Sequence, residues 1–149
     1  MADPEPSGNQ SITLQINNNT PLDLPFNIDL YCQKALKEIP ITQGHIEITF
    51  VTNEAIINVN KTHLNRDYAT DIISFNLDTI EKPYGDIYIS IEKAQENANI
   101  YNNTLQNELK LLIIHGLLHI IDYKDYTADE KAIMDKEQTR ILEKLQHET

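Results

Sequence analysis

Apolar and polar residues alternate singly along Ser11-Ile-Thr-Leu-Gln-Ile-Asn and again along His45-Ile-Glu-Ile-Thr-Phe-Val-Thr. A period of two predicts strands with one buried face. Between them the period lengthens: within 26–39, Ile28, Tyr31, Cys32, Ala35, Leu36 and Ile39 recur at helical spacing, and Pro40 supplies a stop. After the second strand Asn53 is read as the cap of a short helix ending at Val59, and polar residues 60–69 as a loop. Asp71-Ile-Ile-Ser-Phe-Asn and Gly85-Asp-Ile-Tyr-Ile-Ser then predict a third and a fourth strand.

From Ile91 onward the pattern is helical. One helix is expected over 92–101, and a second begins after Thr104, a good N-cap residue. The second is apolar nearly all round from Leu109 to Ile121, which places it in the middle of the fold with neighbours on several sides. Thr127-Ala-Asp-Glu has the form of a capping box and opens a last helix with Met134, Ile141 and Leu145 on one face. The order β, α, β, short α, β, β, then three helices predicts an α+β fold: a four-stranded mixed sheet packed with about five helices around that apolar helix. A chain of 149 residues suits one domain, here 11–149, preceded by a loose tail over 1–10 that has no apolar periodicity.

That helix also carries the candidate chemistry. His115 and His119 stand at i and i+4 on one face, so both imidazoles can reach one cation with little strain. An unpartnered imidazole on an apolar helix would cost about 1–3 kcal/mol, so each needs a partner. Asp125 can supply a third ligand if the helix ends near Ile121 and the chain turns back; Asp122 is the alternative and needs a different turn. Two imidazoles and a carboxylate favour one zinc ion with a coordination position left open, although nickel and iron accept the same donors. His45, His63 and His147 lie among polar residues and read as surface groups, with His63 at most lining a cleft. Zinc peptidases of the His-Glu-x-x-His type place a glutamate after the first histidine, where this chain has Gly116. Peptide hydrolysis by that route is therefore disfavoured, and the glycine is read as permitting close approach of a backbone or bulky substrate.

Net charge is -11, which repels polyanions at long range and excludes a general nucleic-acid binder unless a local basic patch exists. Lys61, Arg66, Lys82, Lys93 and Lys124 are the cations that could form one, with Tyr68, Tyr84 and Tyr123 available to stack on bases. No apolar run is long enough to span a membrane, no export signal is visible, and the lone Cys32 reads as a buried helix residue, so a cytoplasmic location is expected.

Three stretches together resemble a known family. His115-Gly-Leu-Leu-His-Ile-Ile-Asp-Tyr-Lys-Asp is similar to the H-G-x-L-H-x-x-G-Y-D-H signature of the YbeY family of bacterial rRNA maturation factors. Thr70-Asp-Ile-Ile-Ser-Phe resembles its T-D-V-L-S-F motif, and Gly85-Asp-Ile-Tyr-Ile-Ser its G-D-I-x-I-S strand. The resemblance implies a YbeY-like, metzincin-like fold. It implies a metal-dependent, single-strand-specific endoribonuclease acting in 16S rRNA 3′-end maturation and ribosome quality control. Its partners would be ribosomal RNA, the small ribosomal subunit and other ribosome-assembly proteins. The metal ligands it implies are His115, His119 and Asp125, the last where the family has histidine; Lys124 and Asp122 replace the family's aspartate and turn glycine. The family's arginine falls on Leu64, leaving Arg66 as a candidate replacement, while Asp71 and Asp86, each inside a motif, are candidate catalytic residues. A ribosome-assembly binding factor with a structural metal and little nuclease activity is the alternative.

Overall fold

A computed structural model describes residues 11–147. Its elements are β1 (Ser11–Asn18), α1 (Ile28–Lys37), β2 (Gln43–Val51), α2 (Asn53–Leu64), β3 (Ile72–Asn76), β4 (Tyr84–Ser90), α3 (Ile91–Ile100), α4 (Leu105–Ile120) and α5 (Ala128–His147). Strand order is β1-β2-β4-β3, with β1, β2 and β4 parallel and β3 antiparallel to β4. This is the α+β arrangement expected from the hydrophobic pattern, a mixed four-stranded sheet with five helices among the described residues. The expected tail over 1–10 lies outside them.

Alternation along the strands divides the sheet into two unlike faces. Ile46, Ile48 and Phe50 of β2 and Ile87 and Ile89 of β4 point into the main core, where they meet α1, α3, α4 and α5. Helix α4 is the centre of that layer, with Leu109, Leu112, Ile113, Ile114, Leu117, Leu118 and Ile120 all buried. It packs against α3, α5, β3 and β4, and each fully buried Leu or Ile contributes about 1.5–3 kcal/mol relative to exposure. The opposite face carries a smaller cluster of Val51, Ile56 and Ile73 under α2. Beyond α2 that face is polar: His45 bonds Thr13 at 2.6 Å, and Asn17 donates to Glu47 at 2.9 Å.

Two local expectations are corrected. Thr52, not Asn53, caps α2 by accepting from the Ala55 N–H, and the helix continues through the polar 60–64 to end on Asn65 in the left-handed conformation. Asn60 is buried at 1% exposure because its side-chain amide donates to the Tyr68 carbonyl, so a polar residue holds the following loop from inside the helix. His45 is likewise no plain surface group, since its ring is tied to Thr13 and faces Glu47 at 3.6 Å.

Candidate metal centre

The apolar face of α4 fixes the roll of the helix, and His115 and His119 consequently emerge on its half-buried side toward β3. Helix α4 stops at Ile121. The Asp122 and Tyr123 N–H groups turn back to the His119 and Leu118 carbonyls, with Asp122 in the left-handed region at φ 79°. An aspartate accepts that conformation more readily than most residues. The turn brings Asp125 across the helix end, its Oδ2 3.7 Å from His115 Nε2 and 3.5 Å from His119 Nε2. The two Nε2 atoms are 3.0 Å apart. Asp122 points away into an ion pair with Lys124 at 2.8 Å, so Asp125 is the carboxylate that joins the histidines.

These separations suit a metal. Ligand atoms placed tetrahedrally at 2.0–2.1 Å from zinc lie about 3.3–3.4 Å from one another, within the 3.0–3.7 Å observed here. Tautomer agrees with geometry: Gln138 Oε1 can only accept, so His115 Nδ1, 3.1 Å away, donates to it and leaves the Nε2 lone pair facing the centre. Burial, reinforced by His119, pushes the His115 imidazole below its ordinary pKa and favours the neutral ligand form, partly offset by the Gln138 bond and Asp125.

The group forms one wall of an open cleft of about 540 Å³. Arg66, Tyr68, Asp71 and β3 form the other side, with Tyr123, Lys124 and Tyr126 at the helix end. Arg66 and Asp71 are therefore gathered with His115, His119 and Asp125. Asp86 is not. On β4, Gly85 and Ile87 face α4, so Asp86 between them points to the opposite face, where it accepts from Tyr88 at 3.1 Å and neighbours Glu47. Of the five cations considered from sequence, Arg66 and Lys124 line the cleft; Lys61 pairs with Asp67 at 4.0 Å and Lys93 with Glu96 at 3.3 Å. Tyr84 lies beside Asp86, and His63 packs edge-on against Phe75. Gly116 also departs from expectation: a Cβ there would lie 2.9 Å from Ile72 Cδ1 and 3.3 Å from Ile87, so the glycine serves close packing of α4 on the sheet.

Comparison with known proteins follows the same lines. The family model described as Endoribonuclease YbeY matches residues 15–146. The chain belongs to this family. A YbeY endoribonuclease from Elusimicrobium minutum is 36% identical over 116 residues, covering 74% of this chain and 81% of that protein. One from Listeria innocua is 35% identical over 147 residues, covering 87% and 91%. The solution structure of TM1509 from Thermotoga maritima has the same fold, with a TM-score of 0.65 at 24% identity over 91% of this chain and 90% of that one.

Sequence reasoning missed two residues at this site. Gln138 had a signal: it falls on the Met134, Ile141 and Leu145 stripe, a polar side chain among apolar ones. Tyr126, 81% exposed at the cleft mouth, had none, because nothing local distinguishes it from a surface tyrosine.

Proposed function

We propose that this member of the YbeY family is a zinc-dependent, single-strand-specific endoribonuclease of the cytoplasm that acts on ribosomal RNA in 16S 3′-end maturation and ribosome quality control, in contact with the small subunit and its assembly proteins. The observation that carries the reading is the convergence of His115 Nε2, His119 Nε2 and Asp125 Oδ2 on the wall of an open cleft. The relatives named above are endoribonucleases by name, and no helix among the described residues is long and apolar enough to cross a membrane.

His115, His119 and Asp125 would hold the metal, and Gln138 keeps His115 in the ligating tautomer. When bound, a divalent ion supplies Lewis acidity, polarising a phosphoryl oxygen and lowering the pKa of water toward about 7. Arg66 binds a phosphate of the strand, and Tyr68 and Tyr126, 53% and 81% exposed, stack on unpaired bases. The proton acceptor is Asp71. Three aspartates line the cleft among the described residues; Asp125 stands with the histidines and Asp122 is paired to Lys124, which leaves Asp71 to take a proton at Oδ1.

The test is cleavage of a single-stranded RNA oligonucleotide, its duplex and the matching DNA by zinc-loaded protein. Cleavage of the single-stranded RNA alone, abolished in His119→Ala, is expected; equal cleavage by His119→Ala would overturn the reading.

A further inference from the structure

Behind Asp71 lies a second carboxyl group that the chemistry above leaves unused. Glu108, in the first turn of α4, is only 6% exposed, on the same helix as Leu105, Leu109 and Leu112. The polar side chains of Asn97 and Asn103 stand beside its carboxylate and favour its charged form. Asn97, on α3, also donates through Nδ2 to Asp71 Oδ2 at 3.1 Å. One amide group, bonded to Asp71, thus lies between two carboxylates. Burial, and then the charge of Asp71, raise the proton affinity of Glu108, so the arrangement is a costly way to fill this space. A carboxylate has a use that justifies the cost: it accepts only, so two of them fix which end of the Asn97 amide faces Asp71. The Ser90 N–H bond to the Asp71 carbonyl, at 2.9 Å, pins the backbone on the other side. Asp71 Oδ2 is thereby occupied, while Oδ1 meets the Thr70 hydroxyl at 3.5 Å, and the residue lines the cleft.

We propose that Asn97 and Glu108 are positioning residues, which clamp Oδ2 of Asp71 and aim Oδ1 into the cleft. The proposal rests on the ribonuclease reading, in which Asp71 is the proton acceptor. Asn97 and Glu108 belong neither to the metal-ligand group nor to the lining of the cleft, so their loss is expected to act on turnover through Asp71.

The test is a double-mutant cycle on zinc-loaded protein, with fold followed by circular dichroism and metal content measured for each variant. Asn97→Ala, a change that favours the helix, is expected to lower kcat about tenfold with KM within about twofold and zinc unchanged. In an Asp71→Asn background the same change is expected to cost nothing more. Glu108→Gln puts an N–H donor beside the Asn97 amide and, like Glu108→Ala, is expected to lower kcat with KM and zinc unchanged. Wild-type kcat in Asn97→Ala, or losses that multiply in the double variant, would overturn the proposal. The side-chain amide resonances of Asn97 separate this from the ribonuclease reading. They are expected to move in Asp71→Asn and in Glu108→Ala whether or not the protein cuts RNA, and resonances indifferent to both changes sink the clamp by themselves.

Discussion

At the scale of single residues, the site works by making each polar group on an apolar helix answer to a particular partner. His115 is held by Gln138, so Gln138→Ala is expected to weaken zinc binding about 10–100-fold while leaving the ligands in place, as read by competition with a chromophoric chelator. Acid acts on the same group. Because burial lowers the His115 pKa, the metal-free fold has its full stability above the ordinary imidazole value of about 6.5 and loses it as pH falls through the lower folded-state value. Zinc affinity falls over the same range, since imidazolium cannot ligate. Glu108 has the opposite sign. Its raised pKa gives stability that is present in acid and is lost as pH rises past the ordinary carboxylate range, so Glu108→Gln is expected to raise Tm at pH 7 and to match wild type near pH 4. That the two histidines share a helix face was legible from their spacing, and that Asp125 can reach them from the turn that a helix ending near Ile121 requires. Asp86 was misplaced because a motif gives the position of a residue in a strand and not which face of the sheet it serves.

At the scale of elements, α4 organises both the core and the site, and its long apolar run makes its central place legible in the sequence. Its close approach to the sheet was less readable, because a helix sequence does not say which neighbour a glycine admits. Gly116→Ala adds a methyl 2.9 Å from the end of the Ile72 side chain, which can swing aside. Overpacking is then offset by about 1 kcal/mol of helix propensity, and a net change within about 1 kcal/mol is expected in urea unfolding. Gly116→Leu leaves no such escape and is expected to cost about 3 kcal/mol or more. Helix α2 shows where pattern reading fails. Its last turn is polar, and the bonds from the Asn60 side chain to the Tyr68 carbonyl and from the Arg66 N–H to the Asn60 carbonyl hold both helix and loop; such local polar closure has no hydrophobic period to reveal it.

For the whole molecule the governing fact is a charge of -11 around a cleft that presents Arg66 and the already paired Lys124. Few phosphates can be neutralised there. The slope of log affinity against log salt for single-stranded RNA is therefore expected to be shallow, about -0.7 to -1.4 for one or two contacts, and Arg66→Ala should reduce it by about 0.7. A steep slope, read by fluorescence anisotropy, would place the strand elsewhere on the surface. The succession of strands and helices and the α+β class followed from sequence periodicity, whereas the distribution of lysines did not, because a charge run carries no information about which cleft it borders. The central claim is that His115, His119 and Asp125 hold one zinc ion, and elemental mass spectrometry of purified wild type beside His119→Ala and Asp125→Ala tests it most directly. About one zinc per folded chain, lost from both folded variants, is the expected result; a well-folded wild type that takes up no metal from added zinc would contradict it.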